Sequence, residues 1–123
     1  MVIAMKKVIV TLVTAAAVAM VYAAVDVSGT WEIEATFDDV SLAGGGFDCV
    51  IKQSSETLSG SCSDGSASLA GEIDGQKIVW RVSGADNPPV VTTFSGTLNE
   101  SGKSIEGRFT AGSRGGSFRA DRQ

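Results

Sequence analysis

A five-residue unit, in which a glycine stands midway between two apolar residues, recurs along most of this 123-residue chain. Its five complete copies are Val27–Trp31, Leu58–Cys62, Leu69–Ile73, Phe94–Leu98 and Ile105–Phe109. Residues i, i+2 and i+4 of a β-strand point to the same face, so each unit places both apolar side chains and the glycine on one side of a sheet. A glycine on the inner face lets the sheet bend and coil, as closure into a small barrel requires. The unit therefore predicts a strongly curved all-β fold.

The composition limits which classes of function are open to the chain. Its length suits one domain, and 14 acidic against 10 basic residues give a formal net charge of −4. This balance disfavours nucleic acid and anionic membrane surfaces, because both are bound by clustered Lys and Arg. The chain has no histidine, so the Ser–His and Cys–His arrangements of nucleophilic catalysis cannot be built. We expect no enzyme activity, no cofactor and no nucleic-acid partner.

Residues 1–23 have the pattern of a signal peptide for export. Lys6–Lys7 form a positively charged segment, Val8–Val21 is an apolar run, and Val21–Ala23 offers a cleavage site. A retained membrane anchor is the alternative, but the run is short for a span of ~20 residues. We predict a single mature domain over residues 24–123 that is periplasmic or secreted and has no stable membrane anchor.

Eight short segments of alternating apolar and polar residues follow, with turn residues between them. The predicted turns include Ser54–Thr57, Asp74–Gly75, Asn99–Lys103 and Ala111–Gly115. Centring the hairpins on their turns places Ile51 opposite Gly60 and Trp80 opposite Gly71, so that a large side chain faces a small one across a narrow interior. Sequential hairpins favour a closed barrel, since closure removes the edge strands. We predict an eight-stranded antiparallel up-and-down barrel, with an open β-sandwich as the alternative.

The two cysteines are predicted to form a disulfide. A hairpin centred on Ser55 and Glu56 places Cys49 directly opposite Cys62. Facing residues of antiparallel strands have Cα atoms roughly 4.5–5.5 Å apart, within disulfide range. An exported protein also meets an oxidising compartment. A reactive or metal-binding thiol pair is the weaker alternative, because no histidine or neighbouring base supports it.

Four aspartates lie in or beside the loops at one end of the predicted barrel. They are Asp38, Asp39, Asp64 and Asp86. Carboxylates of this kind can coordinate calcium, but the spacing is not that of an EF-hand loop. Loop aspartates usually stabilise turns and aid solubility. We therefore predict no metal site.

Six aromatic residues are the candidates for binding a ligand. They are Phe37, Phe47, Trp80, Phe94, Phe109 and Phe118. The strand directions put all five phenylalanines toward the end that carries the longer loops 38–46 and 83–90. Aromatic rings around a barrel mouth can hold an apolar ligand. The alternative is that these rings fill the barrel as its core.

Ser28–Trp31 at the start of the first strand, with Arg122 near the end of the last, resembles the calycin signature of lipocalins and avidins. In that superfamily a Gly-x-Trp packs under an arginine at the closed end of an eight-stranded barrel. The resemblance implies a structural role for Gly29, Trp31 and Arg122. The mature chain is also similar to small exported bacterial lipocalin-like proteins, through Lys52-Gln53 and Leu58-Ser59-Gly60. Together with the phenylalanines at one end of the barrel, the resemblance to calycins leads us to predict a monomeric barrel that binds a small apolar ligand without catalysis.

A second resemblance concerns the class of partner. Small periplasmic inhibitors of secreted metalloproteases are also barrels that open with Ser-Gly-x-Trp and contain one disulfide. They act through an extended N-terminal tail, whereas only Ala24–Val27 precede the first strand here. A barrel with a filled core that inhibits a protease, or otherwise acts through its outer surface, is therefore the alternative function.

Overall fold

The computed structural model describes residues 25–123. The predicted signal peptide, residues 1–23, lies outside this range. No helix among the described residues has the length and apolar character needed to cross a membrane.

Eight strands, each antiparallel to its neighbours, account for most of the described chain. They are β1 (Gly29–Phe37), β2 (Gly45–Ser54), β3 (Thr57–Cys62), β4 (Ala67–Asp74), β5 (Lys77–Ser83), β6 (Val91–Leu98), β7 (Ser104–Ala111) and β8 (Arg114–Arg122). Each strand pairs with the next along the chain, and β8 pairs with β1 to close the ring. The predicted up-and-down barrel is confirmed. The open sandwich is excluded because the ring of pairings has no break.

The register across the hairpins agrees with the prediction at both large-to-small pairs. Ile51 is the partner of Gly60, and Trp80 is the partner of Gly71. The glycine on the inner face is required at the second pair, because a Cβ on Gly71 would lie 2.7 Å from the Cα atom of Trp80. The glycine at this position thus lets the neighbouring strand β5 and its large ring approach β4 closely.

The turn between β7 and β8 is shorter than the predicted Ala111–Gly115 segment. It consists of Gly112 and Ser113 alone, so that Ala111 already pairs with Arg114 and β8 begins there. The tight turn is possible because Gly112 adopts a φ of 64°, a conformation that costs glycine little. This difference affects how deep the side chains of β8 lie.

The loops divide the barrel into two different ends. One end carries residues 38–44, 63–66, 84–90 and 112–113, and we call it the mouth. The other carries two-residue hairpin loops at 55–56 and 75–76 and the turn at 99–103, and we call it the closed end. Buried apolar side chains fill the space between the closed end and the middle of the barrel.

Candidate ligand site at the mouth of the barrel

Trp31 and Arg122 seal the closed end. They are partners across β1 and β8, and the guanidinium carbon of Arg122 lies 4.8 Å from the centroid of the Trp31 ring. The Trp31 Nε1–H donates to the carbonyl of Val27 at 2.9 Å, and Arg122 donates to the carbonyls of Ser28 and Asp26 at 2.8 and 2.9 Å. These contacts bind the segment before β1 across the barrel base. The Trp31 ring beneath this segment is fully buried.

Gly29 lies beside this cluster and leaves room for it. Its φ is 139°, which disfavours a side chain, and a Cβ at this position would be 3.4 Å from the Nη1 atom of Arg122. The structure therefore brings together Gly29, Trp31 and Arg122, the three residues to which the sequence pattern assigns a structural role.

The predicted disulfide is confirmed. Cys49 and Cys62 are register partners on β2 and β3, and their sulfur atoms are bonded with a Cα–Cα distance of 4.0 Å. Cys62 is the last residue of β3 before the mouth turn at 63–66. The crosslink therefore holds two strands together directly below the mouth.

A stack of aromatic rings fills the middle of the barrel. The Trp80 and Phe94 rings are nearly parallel, 15° apart in orientation, with centroids 5.3 Å apart. The Phe118 ring stands at a steep angle to both of them, at 5.2 Å from Trp80 and 5.1 Å from Phe94. All three side chains are buried. We call these three rings the aromatic floor, because the cavity at the mouth lies above them.

Above this floor lies a cavity of about 310 Å³ that opens at the mouth. Four phenylalanine rings contribute to its walls, namely Phe37, Phe47, Phe94 and Phe109. Space remains between them because glycine or alanine occupies neighbouring inward positions, such as Ala35 and Gly45. The rings also touch one another: Phe37 and Phe109 have centroids 5.2 Å apart, and Phe47 and Phe94 have centroids 6.1 Å apart.

Four of the six predicted aromatic residues thus line the cavity, whereas Trp80 and Phe118 lie deeper. Phe118 is four residues beyond Arg114, the first residue of β8. Because a strand advances about 3.3 Å per residue, its ring lies well below the rim. The predicted turn at Ala111–Gly115 made Phe118 the third residue of β8, whereas it is the fifth.

Sequence reasoning did not single out several other residues that line the cavity. Val82, Thr92 and Ala111 belong to it, each near the mouth end of its strand. A signal was present, because Thr92 and Ala111 each lie two residues from a phenylalanine and therefore on the same face of the strand. Their small or polar side chains gave no reason to connect them with a ligand.

Two of the four aspartates in the mouth loops, Asp38 and Asp39, have side-chain hydrogen-bond partners. Arg108 forms two hydrogen bonds with the carboxylate of Asp38, which lower the pKa of Asp38. The carboxylate of Asp39 accepts hydrogen bonds from the hydroxyl and backbone N–H of Ser41, and these lower its pKa. Within residues 25–123, no three His, Cys, Asp or Glu side chains are grouped so that they could hold a metal ion. The hydrogen bonds of Asp38 and Asp39 stabilise the conformation of the 38–44 loop.

By its fold, the protein belongs to the class of closed eight-stranded antiparallel β-barrels. No protein-family model matches the chain, and no curated protein matches it. Solved structures with a similar fold include redesigned β-barrels. The chain is similar to mFAP1 bound to DFHBI, with a TM-score of 0.57, 14% identity, and coverage of 79% of this chain and 94% of that one.

Two further redesigned barrels are similar to the same extent. The barrel b11L5F_LGL has a TM-score of 0.60 and 18% identity over 79% of this chain and 91% of its own. The barrel mFAP0 bound to DFHBI has a TM-score of 0.55 and 15% identity over 79% of this chain and 98% of its own. At sequence identities of 14–18%, these similarities show that the fold is shared.

Proposed function

We propose that this protein is a non-catalytic binding protein that holds one small apolar ligand in the mouth cavity. The observation that carries the proposal is the cavity of about 310 Å³ with four phenylalanine rings in its walls. Sites for small molecules are concave, mostly apolar and about 300–1,000 Å³ in volume. A volume near the lower bound suits a small ligand of a few rings.

The charges around the mouth favour a neutral or cationic ligand over an anionic one. No Lys, Arg, Asp or Glu side chain lines the cavity. The mouth loops contain four aspartates. Two arginines lie near them, namely Arg108, which pairs with Asp38, and Arg114 at the start of β8, so a net negative charge remains. An anion would therefore meet the negative charge of Asp39, Asp64 and Asp86 as it entered, and would find no cation inside to pair with.

The absence of catalysis is part of the proposal. The chain contains no histidine, and both cysteines are used in the disulfide. The walls of the cavity offer aromatic rings rather than paired acids and bases. The similar barrels mFAP1 and mFAP0 were solved with the small molecule DFHBI bound, which supports the suitability of such a barrel for a small ligand.

Export and a monomeric state complete the proposal. The disulfide is compatible with an oxidising compartment such as the periplasm or the extracellular space. The signal-peptide pattern of residues 1–23 supports the same location. A closed ring of strands leaves no strand edge for pairing with a second chain, which supports a monomer.

One observation favours the second candidate, a barrel that inhibits a protease or otherwise acts through its surface. Val40 is 99% exposed and Val90 is 61% exposed, and both belong to mouth loops. Apolar side chains on loop tips are suited to contact with another protein. In this case the rim, rather than the cavity, would be the functional surface.

Binding of a neutral dye tests the first candidate. N-phenyl-1-naphthylamine, whose emission rises in apolar surroundings, is titrated into the folded protein. We expect a saturable rise in emission with one dye molecule bound per chain. If a broad panel of neutral dyes and lipids gives no saturable signal, the ligand-binding proposal is wrong, and protease inhibition becomes the function to test.

A further inference from the structure

The phenylalanine rings of the mouth cavity come from opposite walls of the barrel. Phe37 and Phe47 belong to the neighbouring strands β1 and β2, whereas Phe94 and Phe109 belong to β6 and β7. The Phe37 and Phe109 rings meet over β8, where Gly116 is the register partner of both residues and has no side chain to keep them apart. The cavity is therefore surrounded by aromatic rings rather than bordered by them on one side.

These rings differ in orientation and in depth. The planes of Phe37 and Phe109 are inclined by 73°, and those of Phe47 and Phe94 by 58°. Phe94 and Phe109 are buried, whereas Phe37 and Phe47 are only partly buried and stand nearer the opening. The face of an aromatic ring carries negative electrostatic potential and attracts a cation within about 6 Å of its centroid. Aromatic rings in several orientations around one space are suited to an organic cation.

The charges at the rim have the sign that such a ligand requires. Of the four aspartates in the mouth loops, only Asp38 forms an ion pair within residues 25–123. Asp64 is exposed and directly follows Ser63, which lines the cavity. Besides Arg108, the partner of Asp38, the cation nearest the mouth loops in the chain is Arg114 at the start of β8. Four negative charges thus stand against two positive ones.

The lysines of the described chain lie toward the other end. Lys52 and Lys77 are within three residues of the hairpin loops at 55–56 and 75–76, and Lys103 belongs to the turn at 99–103. No lysine or arginine lines the cavity. A cationic ligand at the mouth therefore meets an excess of negative charge without a lysine close by.

We propose that the ligand of the mouth cavity is an organic cation, such as an aryl or alkyl ammonium ion. Its apolar group lies against the buried rings of Phe94 and Phe109. Its positive charge lies at the level of Phe37 and Phe47, close to the mouth aspartates. The inference rests on the proposed binding function and specifies the chemical class of the ligand. It follows because aromatic walls and an acidic rim together recognise a cation, whereas a neutral ligand would use only the walls.

Two probes of the same shape test the inference on the wild-type protein. Phenyltrimethylammonium is a cation, and tert-butylbenzene has a carbon atom in place of the charged nitrogen. Methyl signals of Val82 and Ala111, which line the cavity, report occupancy by either probe in a ¹H–¹³C spectrum. Titration of these signals gives the dissociation constants of both probes.

We expect both probes to bind saturably, with one molecule per chain, and only the cation to depend on salt. Raising NaCl from about 10 mM to about 1 M shortens the screening length from about 30 Å to about 3 Å. This change should weaken binding of phenyltrimethylammonium about fivefold relative to tert-butylbenzene. The comparison needs no substitution and so does not depend on the folding of a variant.

A matched pair of double variants locates the attraction at the mouth. Asp64→Asn/Asp86→Asn removes two exposed carboxylates from the mouth loops, and Asp74→Asn/Glu100→Gln removes two from the closed end. At low salt the first variant should bind phenyltrimethylammonium about fourfold more weakly than wild type, because each carboxylate contributes about a factor of two across roughly 8–10 Å of water. The second variant should bind both probes nearly as the wild type does.

Phe47→Leu tests the contribution of the rings. Leucine keeps an apolar side chain at the rim but has no aromatic face. The variant should lose about threefold more affinity for phenyltrimethylammonium than for tert-butylbenzene, since a cation over a ring at an exposed site gains a factor of about two to five.

The outcomes separate this inference from the proposed function. The inference alone is overturned if tert-butylbenzene binds but the cation does not, or if salt affects both probes alike. It is also overturned if the two double variants weaken the cation equally, or if Phe47→Leu weakens both probes alike. If neither probe changes the Val82 and Ala111 signals, both the inference and the proposed function are overturned.

Discussion

Gly71 on β4 lies directly opposite Trp80 on β5, and the absence of a side chain at Gly71 is what admits the indole to the barrel interior. A Cβ at Gly71 would be 2.7 Å from both the Cα and the Cβ atoms of Trp80. That distance is well inside van der Waals contact, so one atom decides whether the aromatic floor can form. The recurring glycine unit of the sequence thus has a direct packing role at this position.

Gly71→Ala should destabilise the barrel by about 1–3 kcal/mol, because an additional methyl group forces the backbone of β4 away from β5. Denaturation by guanidinium, followed by tryptophan fluorescence, measures the change. Gly45→Ala is the matched control, since nothing lies within 4 Å of a Cβ at that strand position. Its stability should stay within about 1 kcal/mol of wild type. Equal losses for the two variants would contradict the packing argument.

Replacing Trp31 with Ala should cost about 3–5 kcal/mol, because removal of a large buried ring leaves a cavity. Arg122→Ala should cost less, since the Arg122 side chain is only partly buried. The guanidinium lies 4.8 Å from the Trp31 ring, so the double variant should lose less than the sum of the single losses. A coupling energy of at least about 0.5 kcal/mol is expected in the cycle. Additive losses would mean that the two side chains do not stabilise each other.

The disulfide should leave no thiol available in the native protein. Cys49 and Cys62 should react with a thiol reagent only after reduction and unfolding, and mass spectrometry counts the labels. The double variant Cys49→Ala/Cys62→Ala should be less stable by about 2–3 kcal/mol, as expected for the short ring between the two residues. Labelling of both cysteines in the unreduced folded protein would disprove the crosslink.

Phe47→Ser should abolish binding of N-phenyl-1-naphthylamine, because it places a hydroxyl where an aromatic ring lines the cavity. The effect on folding should be small, since Phe47 is only partly buried. Ile73→Val, in the strand that ends at the closed end, is the control and should bind the dye as the wild type does. Thermal melting checks that both variants are folded. If the Phe47 variant is folded and still binds normally, the mouth cavity is not the dye site.

Local pattern predicted much of the fold because alternation and turns act between residues that are close in sequence. The hairpin centred on Ser55 and Glu56 placed Cys49 opposite Cys62, and the structure has that pair in register and bonded. The same reasoning was less accurate at the β7–β8 turn, where Gly112 permits a tighter turn than five residues. A positive φ at one glycine is not visible in an alternation pattern.

The candidate site could be predicted only in part. The sequence indicated which aromatic residues face inward, and Phe37 and Phe109 do line the cavity. It did not separate these rim residues from Trp80 and Phe118, which form the floor. Alternation reports the face of a strand on which a side chain lies, but it carries no information on height along the barrel axis.

The sequence by itself determined the strands, their antiparallel order, the inward faces and the cysteine pair, because each depends on neighbours within one hairpin. Only the tertiary structure decided between the closed barrel and the open sandwich, and only it shows the cavity above the aromatic floor. Those features depend on how far each strand is shifted against the next around the whole ring. The shift between strands determines which side chains lie at the same height along the barrel axis. It therefore also determines whether the interior at that height is filled by side chains or open to a ligand.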